Sequence, residues 1–441
     1  MTDPRAEPLH LLVYGSLDAG VTDSLRVGCF VEPLAGLGVE VRSWQSFGDD
    51  LLSGRGPGQA STAAPGGGLL AELGLTALAW ADVVLFRRWR STHLVCTECE
   101  LAFGREPDLA AHVRSSGHRT LVPDLLLPAI VELIAAHPEL LGDRGVMYDT
   151  DDDVLDYPDW TGLGPAAARE RDLVLRILAL ADLTTAATPV LADRLRPLCH
   201  GDVRVVRNAV DPAWYTAPAI PPRAIDPEPP AGGPRVVYHG VARRLRDYEV
   251  ARPAVDRVAA SVPAVRRVWL GDDADPRVAA RVDEVRPWVH GPAAFGAALA
   301  AARPDIGLAP LLDEPFNRAK SELHWVEFAM AGAATIATAF DGPGPYDVVR
   351  DGEDGLLARA PADWERHLRS LAGSPGLRSD LAQRARSRVR EEYSLSARAI
   401  EWADSYRWAA AHGGFGRGRA ARGPLGAAPE QGQQSPQGAR R

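Results

Sequence analysis

The sequence predicts an α/β protein built from two doubly wound, Rossmann-like domains that face each other across a cleft. Three observations carry this expectation. Short β-branched runs alternate with amphipathic helical stretches almost from end to end, the pattern of parallel sheets covered by helices. The alternation is broken once, by APAIPPRAIDPEPPAGGP at residues 217–234, too rich in Pro and Gly for regular structure and read as a linker. The length of 441 residues exceeds one ordinary core but suits two. Such sheets bind ligands outside the carboxyl ends of their strands, so the expected site lies between the domains.

The elements follow in order. In the first domain, residues 1–216, the expected strands are LHLLVYG, VEVRSW, DVVLF, GVMYD, ADLTTAA and VRVVRN, with helices over 166–180 and 189–195. Gly15 and Gly20 bracket a turn after the first strand, and Arg26 follows it. The run GRGPGQASTAAPGGG at 54–68 reads as a flexible loop. The second domain, 235–395, carries RVVYHG, RRVWLGD, DIGLAP and ATIATAF, with helices over 247–260, 276–286 and 322–331; Gly332 is the expected left-handed cap of the last. After Gly355 the pattern is purely helical, ending in a helix over 396–411. Residues 412–441, rich in Gly, Pro, Gln and Arg, read as a disordered tail.

Composition narrows the function. A 46% hydrophobic and 24% charged chain is globular, and a net charge of −9 argues against a surface made to neutralise phosphate backbones, so nucleic acid is an unlikely partner. Four cysteines make a poor disulfide framework at this size, which favours a reducing, cytoplasmic location. The N-terminal residues lack the apolar run of a signal peptide. The longest apolar run, LVPDLLLPAIVELIAA, is broken by Pro123, Asp124, Pro128 and Glu132, so no membrane span is expected and only peripheral membrane association is left open.

Two regions carry candidate chemistry for the cleft. Residues 305–340 read as strand, polar loop, helix and strand. A helix N-terminus presents unpaired N–H groups and a positive dipole end to an anion; Ser321 is the expected N-cap and Lys320 adds a point charge beside it. Glu327 lies about two turns further on the same face, where a carboxylate can accept hydrogen bonds from a ribose diol; alone, either charge would also suit a solvated helix face. In the first domain Asp149, Asp151, Asp152 and Asp153 follow a strand at its carboxyl end. They could orient an acceptor hydroxyl, hold a divalent cation or cap a turn; Asp152 is the residue selected for function.

A third region stands apart. In CTECELAFGREPDLAAHVRSSGH, Cys96 and Cys99 are followed by His112 and His118 at the spacing of a C2H2 zinc site, and Leu94, Phe103 and Leu109 fall where a ββα finger keeps its small core. Residues 94–119 therefore read as a zinc-finger-like insertion with structural zinc. One finger is small for sequence-specific DNA binding, and its acidic residues offset the basic ones, so a clip or protein-contact module is favoured over a DNA reader.

Several blocks together, FNRAKSELHWVEFAMAGAATIAT, DGPGPYDVVRDGEDGLL, YHGVARRLRDYE, VMYDTDDDVLDYP, ADLTTAATPVLADRL and VVRNAVDPAWY, resemble the retaining nucleotide-sugar glycosyltransferases of the GT-B fold, in particular bacterial family 4 members linked to polysaccharide synthesis. The resemblance spans about residues 140–410 and excludes the finger. It implies a nucleotide-sugar donor, an acceptor yet to be named and no catalytic metal. Carried over residue by residue, Glu327 matches the second glutamate of the E-x7-E motif and holds the donor ribose. Lys320 and Ser321 border the donor phosphates, and Asn317 is a further donor-binding residue. Gly240, Arg243 and Arg244 form a loop with basic residues near the leaving group, and Asn208 and Asp211 belong to the hinge block. Asp152, Arg244 and Lys320 are the expected catalytic residues. The first motif glutamate is absent, because Ala319 stands there; the literal pair Glu314 and Glu322 lacks the motif's context. The leading expectation is sugar transfer, and the alternatives are a zinc-binding, non-catalytic protein on a degenerate scaffold and, less favoured, a C2H2 DNA-binding regulator.

Overall fold

A computed structural model of the chain describes residues 7–14, 26–43, 46–47, 77–87, 131, 134–161, 164–215, 233–241, 244–271 and 280–414, with no side-chain description for 161–170. The proposed finger at 94–119, the run at 54–68, the turn between Gly15 and Gly20, Arg243, and most of the linker and tail lie outside the described residues.

The first domain is a six-stranded parallel sheet of β1 (Leu9–Tyr14), β2 (Val39–Ser43), β3 (Val83–Arg87), β4 (Gly145–Thr150), β5 (Leu183–Ala186) and β6 (Asp202–Val205), in the order β2-β1-β3-β4-β5-β6. Every residue of β3 and β4 is buried, as continuous apolar runs require when helices cover both faces. On one face α2 (Gly164–Leu180) packs Val174, Ile177 and Leu178 against Leu12, Val84 and Val146; α1 (Val31–Ala35) and α3 (Pro189–Leu195) also flank the sheet. Thr188 caps α3, its hydroxyl accepting from Leu191 N at 3.2 Å.

The second sheet holds β7 (Arg235–Gly240), β8 (Arg266–Gly271), β9 (Glu284–Pro287), β10 (Ile306–Ala309), β11 (Ala334–Thr338) and β12 (Leu356–Ala358), all parallel, in the order β12-β11-β10-β7-β8-β9. One face is covered by α4 (Leu245–Ser261) and, further along, by Trp364, Leu368 and Leu371. The other is covered by α5 (Pro292–Ala301) and, after the single turn α6 (Pro315–Arg318), by α7 (Leu323–Ala331), with Phe295, Phe328 and Met330 in the core. Next come α8 (Pro361–Gly373), which carries Trp364, then α9 (Pro375–Glu392) and α10 (Leu395–His412).

Two expectations are corrected. The span 276–286 is not a helix where it is described: β9 occupies Glu284–Pro287, pairing Val268 with Glu284, and Arg235 grips the Glu284 carboxylate at 2.9 and 2.8 Å. A charged edge strand has neither the apolar run nor the alternation that announces strands. The region after Gly355 is not purely helical, since β12 adds three residues beside β11. The C-terminal helix α10 returns to the first sheet, where Trp402, Ala403, Tyr406 and Ala409 pack on Leu11, Val13, Leu85 and Met147.

In the first sheet successive connections reverse direction between β1 and β3, and in the second between β7 and β10. A doubly wound sheet opens its ligand crevice at the carboxyl ends beside that reversal. In the second domain those ends are Gly240 and Ala309, which feed the loops around Arg244 and 311–322.

Candidate active site

The loop from Leu311 to Glu322 is one place where the two domains touch. Thr188 Oγ1 donates to the Ala319 carbonyl at 2.9 Å, Arg207 reaches Glu322 at 2.7 Å, Asn208 Nδ2 donates to Ser321 Oγ at 3.0 Å, and Trp160 Nε1 donates to Glu314 at 3.0 Å. Between them Lys320 Nζ donates to Asp152 Oδ1 at 2.6 Å. An ammonium from the expected donor side thus meets a carboxylate from the expected acceptor side, at the mouth between the sheets.

The acidic run is mostly neutralised. Asp149, fully buried on β4, accepts from Arg26 Nε at 3.1 Å and from Thr185 Oγ1 at 2.7 Å, with Arg87 Nε 3.7 Å away. Arg26 also donates to the Val206 carbonyl and to Asn208 Oδ1 at 3.2 Å and lies over the Trp402 ring. Asp153 pairs with Arg194 at 2.8 Å and accepts from Leu155 N at 3.2 Å; burial still pushes its carboxyl above the usual range. Asp152 meets a cation from the other domain, Lys320 Nζ.

Arg244 and Asn317 form a second unit. Arg244 Nη1 donates to Asn317 Oδ1 and to Asp247 Oδ2, both at 3.0 Å; Asn317 Nδ2 donates to Asp247 Oδ1 at 2.8 Å and to the Leu312 carbonyl at 3.0 Å. Asp247, in the first turn of α4, also accepts from Leu312 N, so it ties the loop after β7 to the loop after β10. The guanidinium lies 5.0 Å from the Trp160 ring centroid and 5.6 Å from that of Phe316, while Lys320 Nζ lies 4.7 Å from Phe316. Gly240 ends β7 with φ of +154°, and a Cβ at Gly271 would stand 2.0 Å from the Gly240 carbonyl oxygen. The two strand ends therefore approach closely beside this unit.

Ser321 is not the N-cap of α7. Glu322 occupies that position without a side-chain cap, because Ser321 is turned to Asn208 and Glu322 to Arg207. Interdomain pairing has displaced capping. Gly332 does end the helix in the left-handed conformation, φ 85° and ψ 25°.

Glu327 is 4% exposed, and its Oε2 lies 3.3 Å from His239 Nε2 at the end of β7. His324, one turn before it on α7, lies tilted against His239 with ring centroids 4.1 Å apart. Burial raises the Glu327 carboxyl well above its ordinary range and pushes the His239 imidazole down to about 3; His324 is lowered by burial, by His239 and by the charges of Arg244 and Lys320.

The structure thus gathers Asp152, Arg244, Asn317, Lys320 and Ser321 along one interdomain seam and sets Glu327 behind it with Gly240. Sequence reasoning missed Trp160, Phe316, Asp247, His239 and His324. The i, i+3 spacing of His324 and Glu327 was a readable signal; the rest depended on which loops meet. Ala319, in place of the first motif glutamate, is fully buried against the first domain's core.

Residues 252–404 match the family described as Glycosyl transferase-like. No curated protein is significantly similar to the chain. In fold the chain is similar to sucrose-phosphate synthase from Thermosynechococcus elongatus (TM-score 0.55, 17% identity, 91% of this chain and 99% of that one). It is also similar to Anabaena HepE in complex with UDP-glucose (TM-score 0.54, 15% identity, 90% and 99%) and to a glycosyltransferase from Rickettsia africae (TM-score 0.51, 12% identity, 91% and 98%). These likenesses extend over both domains and give the GT-B fold; together with the family match they support a transferase enzyme. Among the described residues no helix is long and apolar enough to cross a membrane.

Proposed function

We propose that the protein transfers a sugar, with retention, from a nucleotide-sugar donor to an acceptor hydroxyl, and that a UDP-sugar is the first donor to test. The observation that carries this reading is the Lys320–Asp152 contact at the mouth between the two sheets. Charge develops at two places in such a transfer: on the departing diphosphate and on the oxocarbenium-like sugar carbon. Lys320 and Arg244, with Asn317 holding the guanidinium in place, offset the first. Asp152 exchanges Lys320 for the acceptor and orients its hydroxyl. The bond from the sugar carbon to phosphate oxygen breaks with its electron pair on the phosphate. The acceptor oxygen bonds the same carbon on the same face, and its proton passes to the departing phosphate.

UDP is favoured because HepE, of like fold, was crystallised with UDP-glucose. The test is a panel of UDP-, GDP-, ADP- and dTDP-sugars, followed by thermal stabilisation and by mass spectrometry of donor consumption. Consumption of one donor, lost in Lys320→Ala, is expected; a panel in which no donor stabilises the protein or is consumed overturns the reading.

Buried Ala319 favours a second reading, a scaffold that binds a donor without transferring its sugar; stabilisation with no turnover would select it. The spacing of Cys96, Cys99, His112 and His118 supports structural zinc in the insertion at 94–119, checked by the loss of one zinc per chain in Cys96→Ser.

A further inference from the structure

We propose that His239, His324 and Glu327 form a binding site for a divalent transition-metal ion, zinc by preference, behind the donor side of the cleft. Their ligand atoms all lie within 4.8 Å of one another, one from the end of β7 and two from successive turns of α7. His239 Nε2 and His324 Nδ1 are buried and make no hydrogen bond. Each is a polar atom withdrawn from water without a partner, an arrangement that ordinarily costs stability and is uncommon in folded proteins.

The nearest pair suits a shared ion better than a direct bond, while the widest separation, up to 4.8 Å, has to shorten by side-chain rotation when the ion binds. His239 Nε2 and Glu327 Oε2 are 3.3 Å apart yet form no hydrogen bond. Two ligands on one tetrahedral zinc, each bonded at about 2.0–2.1 Å, stand about 3.3 Å apart. Two imidazoles with one carboxylate select zinc and its transition-metal neighbours over calcium or magnesium, which prefer all-oxygen shells. Three protein ligands leave a fourth position for water or a substrate oxygen. Phe295 and Phe328, with ring centroids 5.1 and 4.9 Å from that of His239, supply the apolar wall that confines such an ion. This assignment replaces the ribose contact that the family resemblance implies for Glu327, and it stands whether or not sugar transfer is found.

Cobalt(II) separates this site from the cysteine-containing insertion, since a Cys2His2 site gives a near-ultraviolet thiolate charge-transfer band and a His2Glu site does not. The full chain, stripped with EDTA, is titrated with cobalt chloride and followed by absorption and by metal content. Cys96→Ser should still bind one cobalt per chain, with visible d–d bands and no thiolate band. His324→Ala or Glu327→Gln on that background should weaken binding at least about tenfold. Circular dichroism establishes that each variant is folded; His324, only half-buried, is the safer substitution. Absence of the thiolate-free cobalt, or unchanged affinity in folded His324→Ala and Glu327→Gln, overturns the proposal.

Discussion

At the scale of single residues, Lys320 is the most informative side chain. It stands over Phe316 and reaches Asp152 in the other domain, so its charge is aimed at the cleft before any substrate arrives. A preorganised charge acting on a leaving group contributes of order 10²–10³ in kcat. Lys320→Ala should lose that much, with Asp152→Asn lowering kcat while leaving donor affinity nearly unchanged; steady-state kinetics on the donor found by the panel checks both. Asp153 makes a contrasting prediction. Its carboxyl is raised above the usual range by burial, although Arg194 opposes the shift. A raised carboxyl contributes stability that is present below its unfolded pKa and lost as pH rises through the folded one. Asp153→Asn should therefore raise the urea midpoint at pH 7, the gain shrinking toward pH 4; a lower midpoint at pH 7 would mean that the Arg194 pair outweighs the desolvation. Legibility at this scale was uneven. Asp152 and Lys320 were singled out from charges in loops after strands, where α/β sheets bind, whereas Arg244 and Asn317 entered through the family resemblance. His239 was not singled out, because one histidine in RVVYHG reads as strand interior until its neighbour on α7 is known.

At the scale of elements, the strands were readable wherever both faces are covered, since β3, β4, β7 and β10 are short apolar runs bounded by turns. The edge strand β9 was not: EVRP satisfies its charges through Arg235 and Arg286, and its pairing to β8 is visible only in three dimensions. Helix ends divided in the same way. Gly332 announced its left-handed cap, whereas the start of α7 is set by Arg207 and Asn208 from the other domain. Packing between β10 and α7 gives the prediction proper to this scale. A Cβ at Gly307 would stand 2.3–2.6 Å from Phe328 ring carbons, and Phe328 is fully enclosed. Gly307→Ala should cost about 1–3 kcal/mol through overpacking, read as a lower urea midpoint at unchanged m-value, with Phe328→Leu in the same chain recovering part of the loss.

At the scale of the whole molecule, the two alternating halves were legible as two parallel sheets, but the destination of the last helix was not. An amphipathic stretch announces that one face will be buried and not against what. In the fold α10 returns to the first sheet, where Trp402 meets Phe30 and the guanidinium of Arg26, the residue that also holds Asp149 and Asn208. The far end of the described chain thus supports the hinge block that touches Ser321. Trp402 is fully buried, so Trp402→Ala should cost about 3–5 kcal/mol. Hydrogen exchange locates that cost. Protection should fall in β1, β3 and β4, on which α10 packs, and be retained in β10 and β11, which it does not cover. Equal loss in both sheets would instead mean that the domains unfold as one unit. Because Arg26 links Trp402 to Asn208, and Asn208 to Ser321, the same variant should also weaken donor binding without touching a donor contact; a destabilised first sheet with unchanged donor affinity would show that the hinge keeps its geometry without the helix.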